Sequence, residues 1–330
     1  MIVDLPDTTT SLISKRLMSL REQGGVIALG RVLTLVVVTK SGSEEEAIEA
    51  ANDASREHPC RIIVLADAGA EAPTRLDAQI RVGGDAGASE VIVLRGAGEL
   101  SEESESLVSA LLLPDAPIVA WWPYGAPKNA GETSIGRMAH RRITDSANEE
   151  NPQQALENIR MTYRAGDTDL AWTRLTTWRI QLAAVLDQVD SAPVTAVTVE
   201  GAADSPSTLL LAAWLELSLQ VPVTVLAARA GMGMRRVRLC RGTGDVVLFR
   251  SGQSVAELTQ PGQPAQRISL PRRTLRLCLA EELRRLDPDE VFGETVRGLG
   301  TTRVYQDSQL TLTGTPTRVH DRDRPALLAV

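Results

Sequence analysis

The run Val32-Leu33-Thr34-Leu35-Val36-Val37-Val38 constrains this chain more than any other segment. A strand with one wet face alternates apolar and polar residues. This run does not, so it belongs in a strand buried on both faces. Further strands are expected at 61–66, 91–94 and 117–121, with another near 78–82. Helical segments separate them: an amphipathic helix over 11–22, a helix from the capping box Ser43-Glu44-Glu45-Glu46 to about residue 57, and a stretch within 101–112. Alternating strands and helices, with strands buried on both faces, predict an α/β fold whose first sheet is doubly wound and mostly parallel.

At 330 residues the chain exceeds one ordinary core, and two domains are expected. The first, 1–165, closes with a helix over 152–163 that opens on an Asn-Pro signal. The second, 166–300, opens with a long helix over about 170–189. A βαβ unit follows, with strands at 194–199 and 223–227 around a helix that Ser205 can cap and Pro206 can enter. Strands at 234–240 and 245–250 then flank the turn Arg241-Gly242-Thr243-Gly244, giving a mixed sheet. Helices at 273–286 and 288–298 close the domain, the latter opened by Asp287 and Glu290 as a capping pair. Residues 301–330 are polar, weakly patterned and read as a tail.

Charge and composition exclude several classes. With a net charge of −7 the chain has no basic footprint for nucleic acid. The basic run 234–238 alternates with apolar residues and reads as the wet face of a strand. No apolar run is long enough to span a membrane and no leader-like segment opens the chain, so a cytoplasmic protein is expected. Cys60, Cys240 and Cys278 are dispersed and read as buried free thiols; a redox role would require an exposed thiol of lowered pKa. The three His, His58, His140 and His320, form no metal-ligand spacing, and no metal is expected.

One segment exceeds what a helix needs. Gly166-Asp167-Thr168-Asp169-Leu170-Ala171-Trp172-Thr173-Arg174-Leu175-Thr176-Thr177-Trp178-Arg179 holds two of the 5 Trp in a chain that is 3% aromatic. Leu175, Leu182, Leu186 and Val189 share a stripe, and Asp167 and Asp169 suit its positive end as caps. Trp172, Trp178 and Arg179 border the stripe, while Arg174 lies further round with Gln181 and Gln188. Three readings stay open: core residues wedged between domains, a partner interface built on Trp and Arg, or a ligand site.

Catalytic patterns are missing where the fold invites them. A dinucleotide fingerprint needs three spaced glycines between strand and helix. Thr39-Lys40-Ser41-Gly42-Ser43 supplies one, and Gly231-Met232-Gly233-Met234 precedes a strand. No cofactor and no catalytic residue is therefore expected, although a helix N-terminus at Ser43 or Ser205 could hold a single phosphate. Arg141 and Arg142 could clamp an anion, or else pair with Asp145, Glu149 or Glu150.

The strings 29–35, 141–146, 166–176, 203–207 and 279–290 resemble the OpcA family, the glucose-6-phosphate dehydrogenase assembly proteins of actinobacteria and cyanobacteria. The resemblance implies a non-catalytic partner that promotes assembly or activation of glucose-6-phosphate dehydrogenase in the oxidative pentose phosphate pathway. It favours the interface reading for Trp172, Arg174, Trp178, Arg179, Asp167 and Asp169. Cyanobacterial members are associated with thiol-based control; this chain has no paired-cysteine motif. Two alternatives remain: a lactonase-like sugar-phosphate enzyme around Arg141, Arg142 and Asp145, or a metabolite-sensing regulator.

Overall fold

The computed structural model describes residues 1–24, 31–82, 90–102, 104–187, 192–202, 204–229, 231, 233–301 and 303–305. Its first half runs β1 (Ile2–Leu5), α1 (Thr10–Gly24), β2 (Leu33–Lys40), α2 (Glu44–Ser55), β3 (Cys60–Asp67), β4 (Arg75–Arg81) and β5 (Glu90–Ala97). It continues with α3 (Glu105–Val108), β6 (Ile118–Trp121), α4 (Ser134–Met138), β7 (Arg141–Thr144), α5 (Pro152–Thr162) and β8 (Asp167–Asp169). The eight strands form one sheet in the order β1-β4-β5-β3-β2-β6-β7-β8. From β5 to β8 every pairing is parallel, and β4 and β1 add an antiparallel edge. Leu33, Leu35 and Val37 pack under α2, whereas Val36 faces Ile13 and Leu17 of α1 on the other side. Burial on both faces is what the uninterrupted apolar run required.

The second half runs α6 (Leu170–Thr173), α7 (Thr176–Leu186), β9 (Val194–Ala202), α8 (Pro206–Leu219), β10 (Val223–Ala228), β11 (Met234–Arg241) and β12 (Val246–Phe249). It ends with β13 (Val255–Thr259), β14 (Gln266–Ser269), α9 (Leu275–Arg284), α10 (Glu290–Gly298) and β15 (Arg303–Tyr305). Its seven strands order as β14-β13-β12-β11-β9-β10-β15. β9, β10 and β15 are parallel, and β11 to β14 form an antiparallel meander, so the sheet is mixed. Trp178, Leu182, Leu210 and Phe292 from α7, α8 and α10 cover one face, against Val197, Val199, Val237 and Leu248. The opposite face contributes nothing to that core.

The two halves interleave. β8 lies beyond residue 165 yet pairs with β7 as the last strand of the first sheet. Helix α9 also returns: Cys278, Leu279 and Leu283 pack with Leu33, Ile48 and Ile62.

Several local expectations need correction. The long helix 170–189 is broken into α6 and α7. Leu175 N–H bonds the Trp172 carbonyl at 2.9 Å and the Thr176 hydroxyl bonds the Thr173 carbonyl at 2.9 Å, tightening the turn between them. Gln188 and Val189 lie outside the described residues, as do Leu29-Gly30 of the resemblance and the tail beyond 305. Neither Ser43 nor Ser205 makes a side-chain cap bond. Asp289, not Asp287, caps α10 by accepting the Phe292 N–H at 2.9 Å. The strands β7 and β8 were not foreseen, because their charged residues resemble a surface loop.

Candidate functional site

The segment 166–179 holds the two sheets together. Gly166 has φ +93°, and a Cβ there would lie 2.5 Å from the His140 carbonyl oxygen, so the chain enters β8 through a position suited to glycine. Asp167 accepts from Arg142 Nε and from the Arg164 N–H. Asp169 accepts four hydrogen bonds at 2.8 Å, from Ser146 N–H, Ser146 Oγ, Thr144 Oγ1 and Ala171 N–H. The last makes it the cap of α6, as expected; Asp167 does not cap. Thr173 donates to Glu282 of α9, and Arg174 grips Asp145 with two bonds at 2.6 and 2.7 Å. Trp172 Nε1 donates to Asp289 at 2.8 Å while Arg179 stacks 3.7 Å from its ring centroid.

These contacts overturn the two indoles as contact residues. Trp172 is 1% exposed and Trp178 2%, both inside the second core, so no partner can touch them. Arg174 remains partly exposed, but its fork is spent on Asp145. Burial pulls the Arg174 guanidinium pKa down, and the hydrogen bonds and charge of Asp145 raise it further than burial lowers it. Arg179 is half-buried, and that desolvation lowers its pKa. Burial, and secondarily the neighbouring Asp145, push the Asp169 carboxyl up to about 6.

The Arg pair is also spent. Arg141 bonds Glu282 and the Asp287 carbonyl; Arg142 bonds Asp167 and the carbonyls of Gly136, Ala139 and Ala165. Neither guanidinium is available to clamp an anion, and neither pairs with Glu149 or Glu150. Burial raises Glu282 above the usual carboxylate range, with Arg141 opposing it.

In a doubly wound sheet, ligands bind outside the carboxyl ends of the strands where the strand order reverses. Here that point lies between β2 and β6; side chains of the chain bridge it and leave an open hollow lined by Gly42, Ser43, Glu45, Glu46 and Tyr124. The Tyr124 hydroxyl accepts from Thr39 Oγ1 at 2.8 Å and donates to the Ser43 carbonyl across the crevice. The Glu44 carboxylate accepts the Gly42 N–H and Arg95 Nε, and so takes the place a phosphate would occupy at the start of α2. Burial works to raise the Glu44 pKa, but its hydrogen bonds outweigh this and hold it below the usual value. Glu45 and Glu46 follow in the same turn, so Ser43 stands in a negative field. Ser205 fails as an anion site for another reason: the turn after it is buried, with Ser207 bonded to the Ala171 carbonyl at 2.8 Å. Tyr124 was missed in the sequence because an isolated Tyr after a strand carries no pattern.

None of Cys60, Cys240 and Cys278 is in a disulfide; Cys60 and Cys278 are buried and Cys240 is half-buried. Burial pushes the Cys278 thiol up to about 11 and raises Cys240, the opposite of a reactive thiolate. Among the described residues, no cluster of His, Cys, Asp and Glu could hold a metal, and no helix is long and apolar enough to cross a membrane.

These features define a two-sheet α/β protein with a Rossmann-like first sheet whose crevice between β2 and β6 is bridged by its own side chains and bordered by acids. Two family models match it: the glucose-6-phosphate dehydrogenase subunit N-terminal domain over residues 51–161, and the C-terminal domain of the same subunit over 165–296. The chain belongs to the OpcA family of glucose-6-phosphate dehydrogenase assembly proteins. No curated protein sequence matches it. Among solved structures it is similar to KijD10, a 3-ketoreductase from Actinomadura kijaniata with NADP and TDP-benzene, at 9% identity and TM-score 0.46, covering 83% of this chain and 99% of that one. It is also similar to the UDP-N-acetylglucosamine 3-dehydrogenase GnnA from Acidithiobacillus ferrooxidans, at 9% identity and TM-score 0.37, covering 82% and 97%. Likeness at that level says nothing about activity.

Proposed function

We propose that this chain is a non-catalytic, cytoplasmic subunit that binds glucose-6-phosphate dehydrogenase and favours its active oligomer or conformation, at the entry to the oxidative pentose phosphate pathway. Beside the family membership, one observation carries the reading. Where a Rossmann-like sheet would hold a nucleotide phosphate, the Glu44 carboxylate takes the Gly42 N–H and Tyr124 bridges Thr39 and Ser43, and Glu45 and Glu46 line the hollow left beside them. The lactonase-like alternative loses its support, since Arg141, Arg142 and Asp145 are all consumed by internal pairs.

With Trp172 and Trp178 buried, the contact surface must lie elsewhere, and we assign it to the helix-free face of the second sheet. Leu226, Glu200, Arg236, Phe249 and Glu257 sit side by side across five strands there. The Arg236 guanidinium lies 4.7 Å from the Phe249 ring centroid and 3.2 Å from Glu200. Arg and aromatic residues dominate interface energetics, and the mixed charges suit a polar protein partner. An activator needs differential affinity: tenfold activation corresponds to about 1.4 kcal/mol preference for the active state.

The test mixes the chain with its cognate dehydrogenase and follows sedimentation and initial rate together. Co-sedimentation with a raised rate is expected. Arg236→Ala with Phe249→Ala should weaken association by about 2 kcal/mol or more with the fold retained. Independent sedimentation with an unchanged rate would refute the reading.

A further inference from the structure

The first sheet holds a second opening, away from the crevice between β2 and β6. It lies at the carboxyl ends of β7 and β8, beneath α5, and encloses a cavity of about 270 Å³. Its origin is visible in the sequence of α5. The helix sends Leu156 into the second core and packs Ile159 against it; Ala155, Asn158 and Thr162, which also line the cavity, are too small or too polar to fill the gap.

The walls are tied to each other at both ends. The Ala126 N–H donates to Glu149 Oε1 at 2.8 Å, and the Thr162 hydroxyl, 2.8 Å from the Asn158 carbonyl of its own helix, also lies 3.3 Å from the Lys128 carbonyl. Asn148 Nδ2 adds a bond of 3.0 Å to the Pro123 carbonyl. The loop over the cavity is therefore braced without any ligand. Preformed concave sites of this kind bind with little ordering cost.

The lining has unspent hydrogen-bonding capacity of both signs. Asn151 uses its oxygen on the Gln154 N–H, and Asn158 uses its oxygen on Gln154 Nε2. Both asparagine NH₂ groups, the Gln154 oxygen and the second Glu149 oxygen have no partner among the described residues. Donors and acceptors are thus both present in the lining. The groups that satisfy such a lining are those that donate and accept at once, namely hydroxyls. The floor does not ask for an anion, since Arg142 and Asp167 neutralise each other. The rim carries both signs: Lys128 is exposed, lines the cavity and forms no ion pair among the described residues, and the Glu149 carboxylate, held by the Ala126 N–H, lines it too.

We infer that this cavity binds a monosaccharide-sized polyhydroxylated molecule carrying one negative group at Lys128. The volume lies at the lower end of small-molecule sites, about 300 Å³, which suits a single six-carbon ring or chain. The negative group could be a phosphate or a carboxylate; both are met by the same ammonium.

Isothermal titration of the full chain alone, with D-glucose, D-gluconate, glucose 6-phosphate and inorganic phosphate, tests this. Saturable heat is expected from gluconate or glucose 6-phosphate, weaker binding from glucose and none from inorganic phosphate. The tighter of the first two identifies the carboxylate or the phosphate as the charged group. Asn158→Ala should weaken every sugar arm by about tenfold, and Lys128→Ala should bring the anionic sugars to the level of glucose. Lys128 sits on an exposed loop, so its variant keeps the test alive should Asn158→Ala fail to fold. Absence of saturable heat from both sugar anions at millimolar concentration would overturn the inference. So would isotherms unchanged in folded variants, or inorganic phosphate binding as tightly as the sugars. No dehydrogenase is present, so this outcome is separate from that of the docking test.

Discussion

Asp169 has four hydrogen-bond donors around it and no ion pair among the described residues. Burial and Asp145 raise its pKa from 3.8 to about 6, so the folded state holds the proton more tightly than the unfolded state. Its contribution is then fully present below about pH 4 and lost as pH rises through about 6, a difference of about 3 kcal/mol. Glu282, raised mainly by burial, adds the same sign. Glu44 and Glu45, held low, act oppositely and are lost only in stronger acid. Urea unfolding should therefore show more stability at about pH 5 than at about pH 7. Asp169→Asn should flatten that slope while lowering overall stability, because an amide oxygen cannot serve four donors. Arg174→Ala strands Asp145, which is 1% exposed, and should cost about 3 kcal/mol by the same assay. That is the signature of a structural residue, not of a partner contact. The sequence showed these residues as unusual but not their use, since a charge that pairs in the interior and a charge on a surface share one spelling.

Short elements carry much of the architecture. β7 and β8 contain Arg141, Arg142, Asp167 and Asp169, every one buried. Periodicity finds strands through apolar residues and cannot find strands whose buried positions are ion pairs. The same limit hid the break between α6 and α7, where the apolar stripe runs on while Thr173 and Thr176 turn the backbone. By contrast β2, β3, β5 and β6 were legible because their side chains bury on both faces whatever lies beside them. Entry to β8 depends on Gly166. Gly166→Ala should destabilise by about 1–3 kcal/mol, from its positive φ and its approach to the His140 carbonyl. Thermal melts of the full chain check this, with Gly42→Ala as the control for positive φ without a steric neighbour.

At the scale of the molecule, the sheets are separate layers but share elements. α9 lies between β14 and β15 of the second sheet in sequence yet packs on the first, while β8 leads directly into α6 of the second core. Unfolding should be one transition, with far-UV circular dichroism and tryptophan fluorescence coinciding. A fragment of residues 1–165 lacks β8 and the cover of α9, and should show no cooperative melt; a sharp melt in that fragment would show the halves to be independent. Sequence alone determined the layered α/β plan, the mixed second sheet and the family, because these follow from local apolar pattern and from specific residue strings. Tertiary structure decided where the Trp and Arg residues went, which charges were spent and which crevice was bridged. Those outcomes rest on partners distant in the chain: Arg95 meets Glu44 across 51 positions, and Trp172 meets Asp289 across 117. Local pattern records which apolar residues are buried; only the folded chain sets which charges join them and what each is buried against.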